Sequence, residues 1–111
     1  MVSKQELDEL NQNIIAWGAK RKLLNKELSN RQLIKFFEEA GELAQDFSKG
    51  NRAHMIDSIG DVFVTLTIFA KQQGITMNQA LEKAYSHIKD RQGKLVNGTF
   101  IKNADLNKKE E

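Results

Sequence analysis

LIKFFEEAGELAQDF, residues 33–47, sets Leu33, Phe36, Phe37, Ala40, Leu43, Ala44 and Phe47 at the spacing of one helical face. On a wheel of about 100° per residue, Ala40 marks the middle of that face. Lys35, Glu39, Glu42 and Asp46 fall on a narrow stripe beside it, and Glu38 lies just past Glu42. Acids three or four residues apart repel one another on a helix. A solvated face tolerates this at small cost, whereas a metal site makes use of it.

The same reading extends outward in both directions. Ser29-Asn30-Arg31-Gln32 has the form of a capping box opening this helix, and Gly50 in SKGNR (48–52) closes it. A further helix is expected from about Ala53 to Gln73. Its centre, VFVTLTIFA (62–70), is apolar on nearly every side, so burial on more than one face is predicted, and Gly74 ends it. Thr76-Met77-Asn78-Gln79 forms another box, ahead of a helix carrying Met77, Ala80, Leu81, Ala84, Tyr85 and Ile88 on one side. Toward the N-terminus, Ser3-Lys4-Gln5-Glu6 is a third box, followed by Leu7, Leu10, Ile14, Trp17 and Leu24. Past Gly93, KLVNGTFIK (94–102) places Asn-Gly between short apolar pairs, the pattern of a small hairpin or ordered loop. The expected fold class is therefore all-α: an antiparallel helical bundle of about four main helices with a short irregular or hairpin C-terminal segment. One helical domain is expected over 1–102, with 103–111 as a flexible tail.

Composition agrees with this and excludes several functions. The 111 residues are 40% hydrophobic, with no proline and 7 glycines. With no cysteine there is no disulfide, thiolate nucleophile or zinc knuckle. A reducing cytoplasm fits the lack of cysteine, and MVSKQELDELNQ is too polar for a signal peptide. No apolar run approaches about 20 residues, so no membrane partner is expected. A net charge of +2 is too mild to argue for nucleic acid. His54 and His87 lack partner spacing for a metal or a triad and read as ordinary.

Asp57 and Asp61 are four apart and share a face of the next helix. Asp61 heads the most apolar run of the chain, where an unpaired carboxylate is costly. Gly41 and Gly60 each adjoin an acid, which suggests close approach of the two backbones. Antiparallel packing then sets Glu39 and Glu42 opposite Asp57 and Asp61. Such a cage of hard oxygens favours Mg²⁺, or Mn²⁺, over zinc, and points to phosphoryl or nucleotidyl transfer to water.

These residues resemble the MazG-like, all-α nucleoside triphosphate pyrophosphohydrolases, particularly the short single-domain members of phages and prophages. EEAGEL (38–43) supplies an ExxE pair at Glu39 and Glu42, with Glu38 as the extra preceding acid. DSIGDVFV (57–64) resembles the second motif, with Asp61 as its final aspartate. The likeness runs from WGAKRKLL (17–24) to IKDRQGKLVNGTFIK (88–102). It departs at Ser58, where the family has a glutamate; Asp57, on the same side as Asp61, is the candidate replacement.

The resemblance implies Mg²⁺-dependent cleavage of NTPs or dNTPs to monophosphate and pyrophosphate. It implies metal ligation by Glu39, Glu42 and Asp61, with Asp57 standing in for the absent glutamate, catalysis by Glu38 and Glu39, and assembly as a homodimer or homotetramer. Lys35 reads as an i,i+4 salt bridge or as a phosphate contact. Trp17 and Arg21 read as core or as substrate-binding. Lys89, Arg91 and Lys94 read as helix-dipole compensation or as a phosphate clamp. The alternative is a non-catalytic helical nucleotide- or protein-binding module that has lost turnover.

Overall fold

A computed structural model describes residues 4–110 of the chain, with the elements α1 (Lys4–Lys20), α2 (Ser29–Ser48), α3 (Arg52–Gln72), α4 (Met77–Ile88), β1 (Gly93–Val96), β2 (Thr99–Lys102) and α5 (Asn103–Glu110). The fold is all-α, with four long helices and one short hairpin. Two compact units divide it, the first ending at Met77 and the second beginning at Asn78.

In the first unit α2 and α3 run antiparallel. Gln32 Nε2 donates to the Thr65 carbonyl at 3.1 Å at one end of the pair, and Ser58 Oγ donates to Asp46 Oδ2 at the other. Gly50, at φ +68°, takes the left-handed position after α2, and Asn51 caps α3 by accepting from the His54 N–H at 3.2 Å. Helix α1 crosses α3 through Asn11 Nδ2, which donates to Thr67 Oγ1 at 3.1 Å. Gly18 is the close approach: a Cβ there would lie 2.5 Å from Ile68 Cδ1.

Several expectations are corrected. Helix α1 stops at Lys20 because Lys22 turns left-handed at φ 59°, so Leu24 lies beyond the helix rather than on its stripe. The Leu23 N–H then returns to the Gly18 carbonyl at 2.9 Å and the Lys22 N–H to that of Ala19 at 3.0 Å. This is the bond pattern of a Schellman motif, with lysine where glycine is usual.

Ser29 does not cap α2. A 3₁₀ turn over Lys26–Leu28 precedes the helix, Ser29 Oγ donates back to the Lys26 carbonyl at 2.6 Å, and Gln32 is committed to α3. Ser3 of the N-terminal box lies outside the described residues. Gly41 and Gly60 meet nothing within 4 Å of an added Cβ, so they mark no close approach.

The interior also differs from the expected one. Ile68 is the one fully buried hydrophobic among the described residues, while Glu39, Ser58, Thr65, Thr67 and Gln72 are buried polar groups. The apolar stripe of α2 is rotated partly outward: Phe37 is 65% and Phe47 72% exposed, and Ile56 and Ile59 on α3 are also exposed. By length and hydropathy alone α3 could cross a membrane, contrary to the sequence reading. Its buried Ser58, Thr65, Thr67 and Gln72 bond to neighbouring segments or to its own backbone.

In the second unit α4 carries Leu81, Tyr85 and Ile88 on its surface. The Asn-Gly turn is as expected, with Asn97 at φ 51° and Gly98 at φ 83° joining β1 to β2. Asn103–Glu110 forms α5 against the hairpin, where the sequence suggests a frayed tail.

Candidate functional site

The polar interior of the α2–α3 pair is where the chemistry collects. Glu39 sits at its centre because α2 turns Gln32, Phe36, Glu39, Leu43 and Asp46 toward α3, more deeply than the outer apolar stripe. The exposed Lys35, one turn earlier, reaches Glu39 Oε1 at 3.3 Å and Glu38 Oε2 at 3.6 Å. Its hydrogen bond to Glu39, then the charges of Glu39 and Glu38, hold the Lys35 ammonium above its ordinary pKa. The other Glu39 oxygen, Oε2, is buried without a hydrogen-bond partner. Beside it the exposed Glu42 carboxyl is pushed up, chiefly by the negative charge of Glu39 and secondly by loss of hydration.

Two cavities flank this centre. Toward the turn between the helices, a cleft of about 340 Å³ is lined by Glu42, Asp46, His54, Asp57, Ser58 and Asp61. In the other direction, a pocket of about 430 Å³ has walls of Trp17, Leu23, Leu28, Val64 and Ile68. Lys35, Arg31, Glu39, Asp61 and Gln72 also border it. Asp61 lines both. It is exposed rather than sunk in apolar surroundings as the sequence suggests, since VFVTLTIFA begins only after it.

The structure thus brings Glu42, Asp57 and Asp61 to one cleft and sets Glu39 with Asp61 on the adjoining pocket. Among the described residues, no three acidic or imidazole groups gather closely enough to hold a metal ion as they stand. The donor set still suits a hard cation: the cleft offers carboxylates with few competing bases, and the orphaned Glu39 oxygen and the mutual repulsion of Glu42 and Glu39 both favour positive charge nearby.

Trp17 and Arg21 meet face to face, the guanidinium 4.4 Å from the ring centroid and donating to the Trp17 carbonyl at 3.1 Å. Lys89, Arg91 and Lys94 belong to the second unit and are exposed there.

Sequence reasoning missed the partner of Ser58. The serine is buried and donates to Asp46, which lies one turn past Glu42, and His54 Nδ1 stands 4.0 Å from the other Asp46 oxygen. His54 is therefore a cleft residue rather than an ordinary one. The signal was there: His54, Asp57, Ser58 and Asp61 follow at three- and four-residue spacing along one face.

Comparison with known proteins fits this arrangement. The profile of the MazG nucleotide pyrophosphohydrolase domain matches residues 25–96. The chain belongs to the MazG nucleotide pyrophosphohydrolase domain family. It is 40% identical over 78 residues to an 18.2 kDa protein from the rep–hol intergenic region of Haemophilus phage HP1. That match covers 70% of this chain and 47% of the phage protein, so the chain spans about half the length of its relative. No solved structure matches the chain significantly. As a MazG domain of phage type, it carries Glu38, Glu39 and Glu42 on α2 and Asp57, Ser58 and Asp61 on α3.

Proposed function

We propose that this MazG domain hydrolyses nucleoside triphosphates, NTP or dNTP, to the monophosphate and pyrophosphate with Mg²⁺, or Mn²⁺, as cofactor. The observation that carries the reading is the meeting, at Asp61, of an acidic cleft and an apolar pocket walled by the only tryptophan of the chain. A nucleotide has the same two-sided chemistry.

Glu39, Glu42, Asp57 and Asp61 would hold the cation, which when bound neutralises phosphate charge and makes a bound water more acidic. Lys35 orients Glu39 through one oxygen and leaves the other for the cation. Glu38, exposed beside Lys35, accepts the proton of the attacking water, with Glu39 as the second catalytic carboxylate. The water oxygen bonds to a phosphorus, the bond linking the α and β phosphates opens, and pyrophosphate leaves. Arg31 and Lys35 border the pocket where a triphosphate would pass. Trp17 offers an apolar wall and Arg21 steadies its ring.

The exposed Phe37, Phe47, Ile56 and Ile59 favour a homodimer or homotetramer, which light scattering at micromolar concentration would report. The reading assigns the chain to the cytoplasm, with no membrane or nucleic-acid partner.

The decisive experiment incubates the protein with NTPs and dNTPs in Mg²⁺ and scores pyrophosphate against orthophosphate. Pyrophosphate with monophosphate supports the reading, and orthophosphate overturns it. A binding module without turnover is the second reading, favoured by the Ser58–Asp46 pair standing in the cleft. It predicts no product, yet a melting temperature raised by nucleotide.

A further inference from the structure

Among the described residues, Glu42, Asp46, Asp57 and Asp61 are the carboxylates that border the cleft at the turn end of α2 and α3. The proposed reaction uses three of them and leaves Asp46 without a task. Asp46 stands one turn past Glu42 and two turns past Glu39, on the same stripe of α2. Its side chain is 18% exposed. That is deep enough to lose most of its hydration and open enough for a cation in the cleft to touch it.

Ser58, only 5% exposed on α3, donates its hydroxyl to Asp46 Oδ2. An aspartate without that bond turns among its rotamers; the hydroxyl of the facing helix holds it in one. The other oxygen, Oδ1, has His54 Nδ1 at 4.0 Å, beyond hydrogen-bond distance. One oxygen is fixed and the other keeps its acceptor capacity. Carboxylates that ligate metals are held in the same manner, by an outer hydrogen bond that sets their orientation.

A plain lock between α2 and α3 has no use for the charge. To accept from Ser58 a neutral amide oxygen suffices, and asparagine is no larger than aspartate. Ionised Asp46 instead adds to the negative charge of the cleft. The effect reaches one turn back along α2, where the Glu42 carboxyl is pushed up first by the charge of Glu39, with the charge of Asp46 adding to it. A cation seated among these carboxylates turns that repulsion into attraction.

We infer that Asp46 is a further ligand of the cation, binding through the oxygen that Ser58 leaves free, and that Ser58 is its positioning residue. The inference rests on the reading that this cleft takes Mg²⁺ or Mn²⁺. It adds a ligand from α2 outside the ExxE pair. It also gives the buried serine a part in holding the ion.

The test uses Mn²⁺ alone, with no nucleotide and no turnover. Free aqueous Mn²⁺ gives a paramagnetic resonance signal that is lost on binding, so a titration yields the affinity. Asp46→Asn keeps an acceptor for Ser58 and almost the same volume while removing the charge. It should weaken Mn²⁺ binding by about a hundredfold, and Ser58→Ala, which frees the carboxylate to turn, by about tenfold. Melting curves of the metal-free variants accompany the titrations.

If Asp46→Asn binds Mn²⁺ as tightly as wild type, the inference is wrong and the cation reading stands. If wild type takes up no Mn²⁺ at millimolar concentration, the cation reading fails and the inference with it. Variants that melt lower yet keep their Mn²⁺ affinity would make the Ser58–Asp46 pair a plain lock, which also overturns the inference. Should Asp46→Asn fold poorly, Ser58→Ala decides: it removes one hydroxyl, and an unchanged affinity there removes the positioning role and the inference with it.

Discussion

The two ends of the α2–α3 pair are built from one antiparallel contact and end in opposite chemistries. At the turn end, Asp46 and Ser58 lock together and the cleft beside them is acidic. At the far end, Gln32 bonds the α3 backbone, Gln72 grips the α1–α2 connection, and the space between is apolar. Both ends are held by polar side chains rather than by a hydrophobic core. A small helical unit that leaves Phe37 and Phe47 to solvent gains its specificity of packing from hydrogen bonds. Each such bond fixes a side chain that borders a cavity, so the contacts that hold the fold also shape the site.

The largest expected effect comes from the residue the ends share. Asp61→Asn should lower pyrophosphate release by about a hundredfold or more, the scale of losing one group that stabilises the reacting phosphates. If it stays within severalfold of wild type while Asp57→Asn is inactive, the cleft works alone and the two ends are not one site.

Next comes the lock at the turn end. Ser58→Glu sets a carboxylate at a buried position against half-buried Asp46 and should destabilise the metal-free protein by on the order of 3 kcal/mol, the scale of an uncompensated buried charge. Denaturant melts would show this, with millimolar Mg²⁺ recovering part of the loss. Equal stability with and without the ion would mean the new acid reaches solvent.

A smaller effect concerns pH. Because the Glu42 carboxyl titrates above its unfolded value, the folded state binds its proton more tightly. Stability from this group is therefore gained as pH falls through the raised value and lost again as pH rises past it. Glu42→Gln should slightly raise the melting temperature near neutral pH, without metal, and should erase that gain on mild acidification. Lys35, held above its ordinary value, contributes stability that is fully present below 10.5 and is lost as pH rises through its raised value.

Smallest is the far end. Lys22→Gly relieves a left-handed lysine but adds freedom to the unfolded chain, for a net gain of about 0.5 kcal/mol. A loss of stability instead would show that the lysine side chain itself holds the turn.

Much of this was legible in the residues. The stripe on α2 and the glycines at 50, 74 and 98 are local signals, and the helix stops and hairpin follow from them. ExxE on α2 and Asp61 on α3 carry the MazG resemblance in the sequence itself. What escaped was decided between elements. Ser29 and Gln32 have the form of a cap, yet a 3₁₀ turn claims one and the Thr65 carbonyl the other. A left-handed lysine has no signature, so the apolar spacing runs on to Leu24 although the helix ends at Lys20. Gly41 and Gly60 looked like close approaches beside acids, while the real one, Gly18, stands beside a tryptophan. Gln72 offered no motif, since an orphaned oxygen exists only once its neighbours are in place.

The left-handed turn after α1 has one more consequence. Lys20, Arg21 and Lys22 are three consecutive exposed basic residues, the densest target in the chain for a protease that cuts after lysine or arginine. The peptide they occupy leads directly to Leu23, which walls the pocket and is held by Gln72. A nick there would cut α1 from the rest of the chain while Asn11 still bonds Thr67 and Gly18 still seats Ile68. Limited digestion should accordingly yield two fragments that travel together until denatured, with a filled pocket slowing the cut.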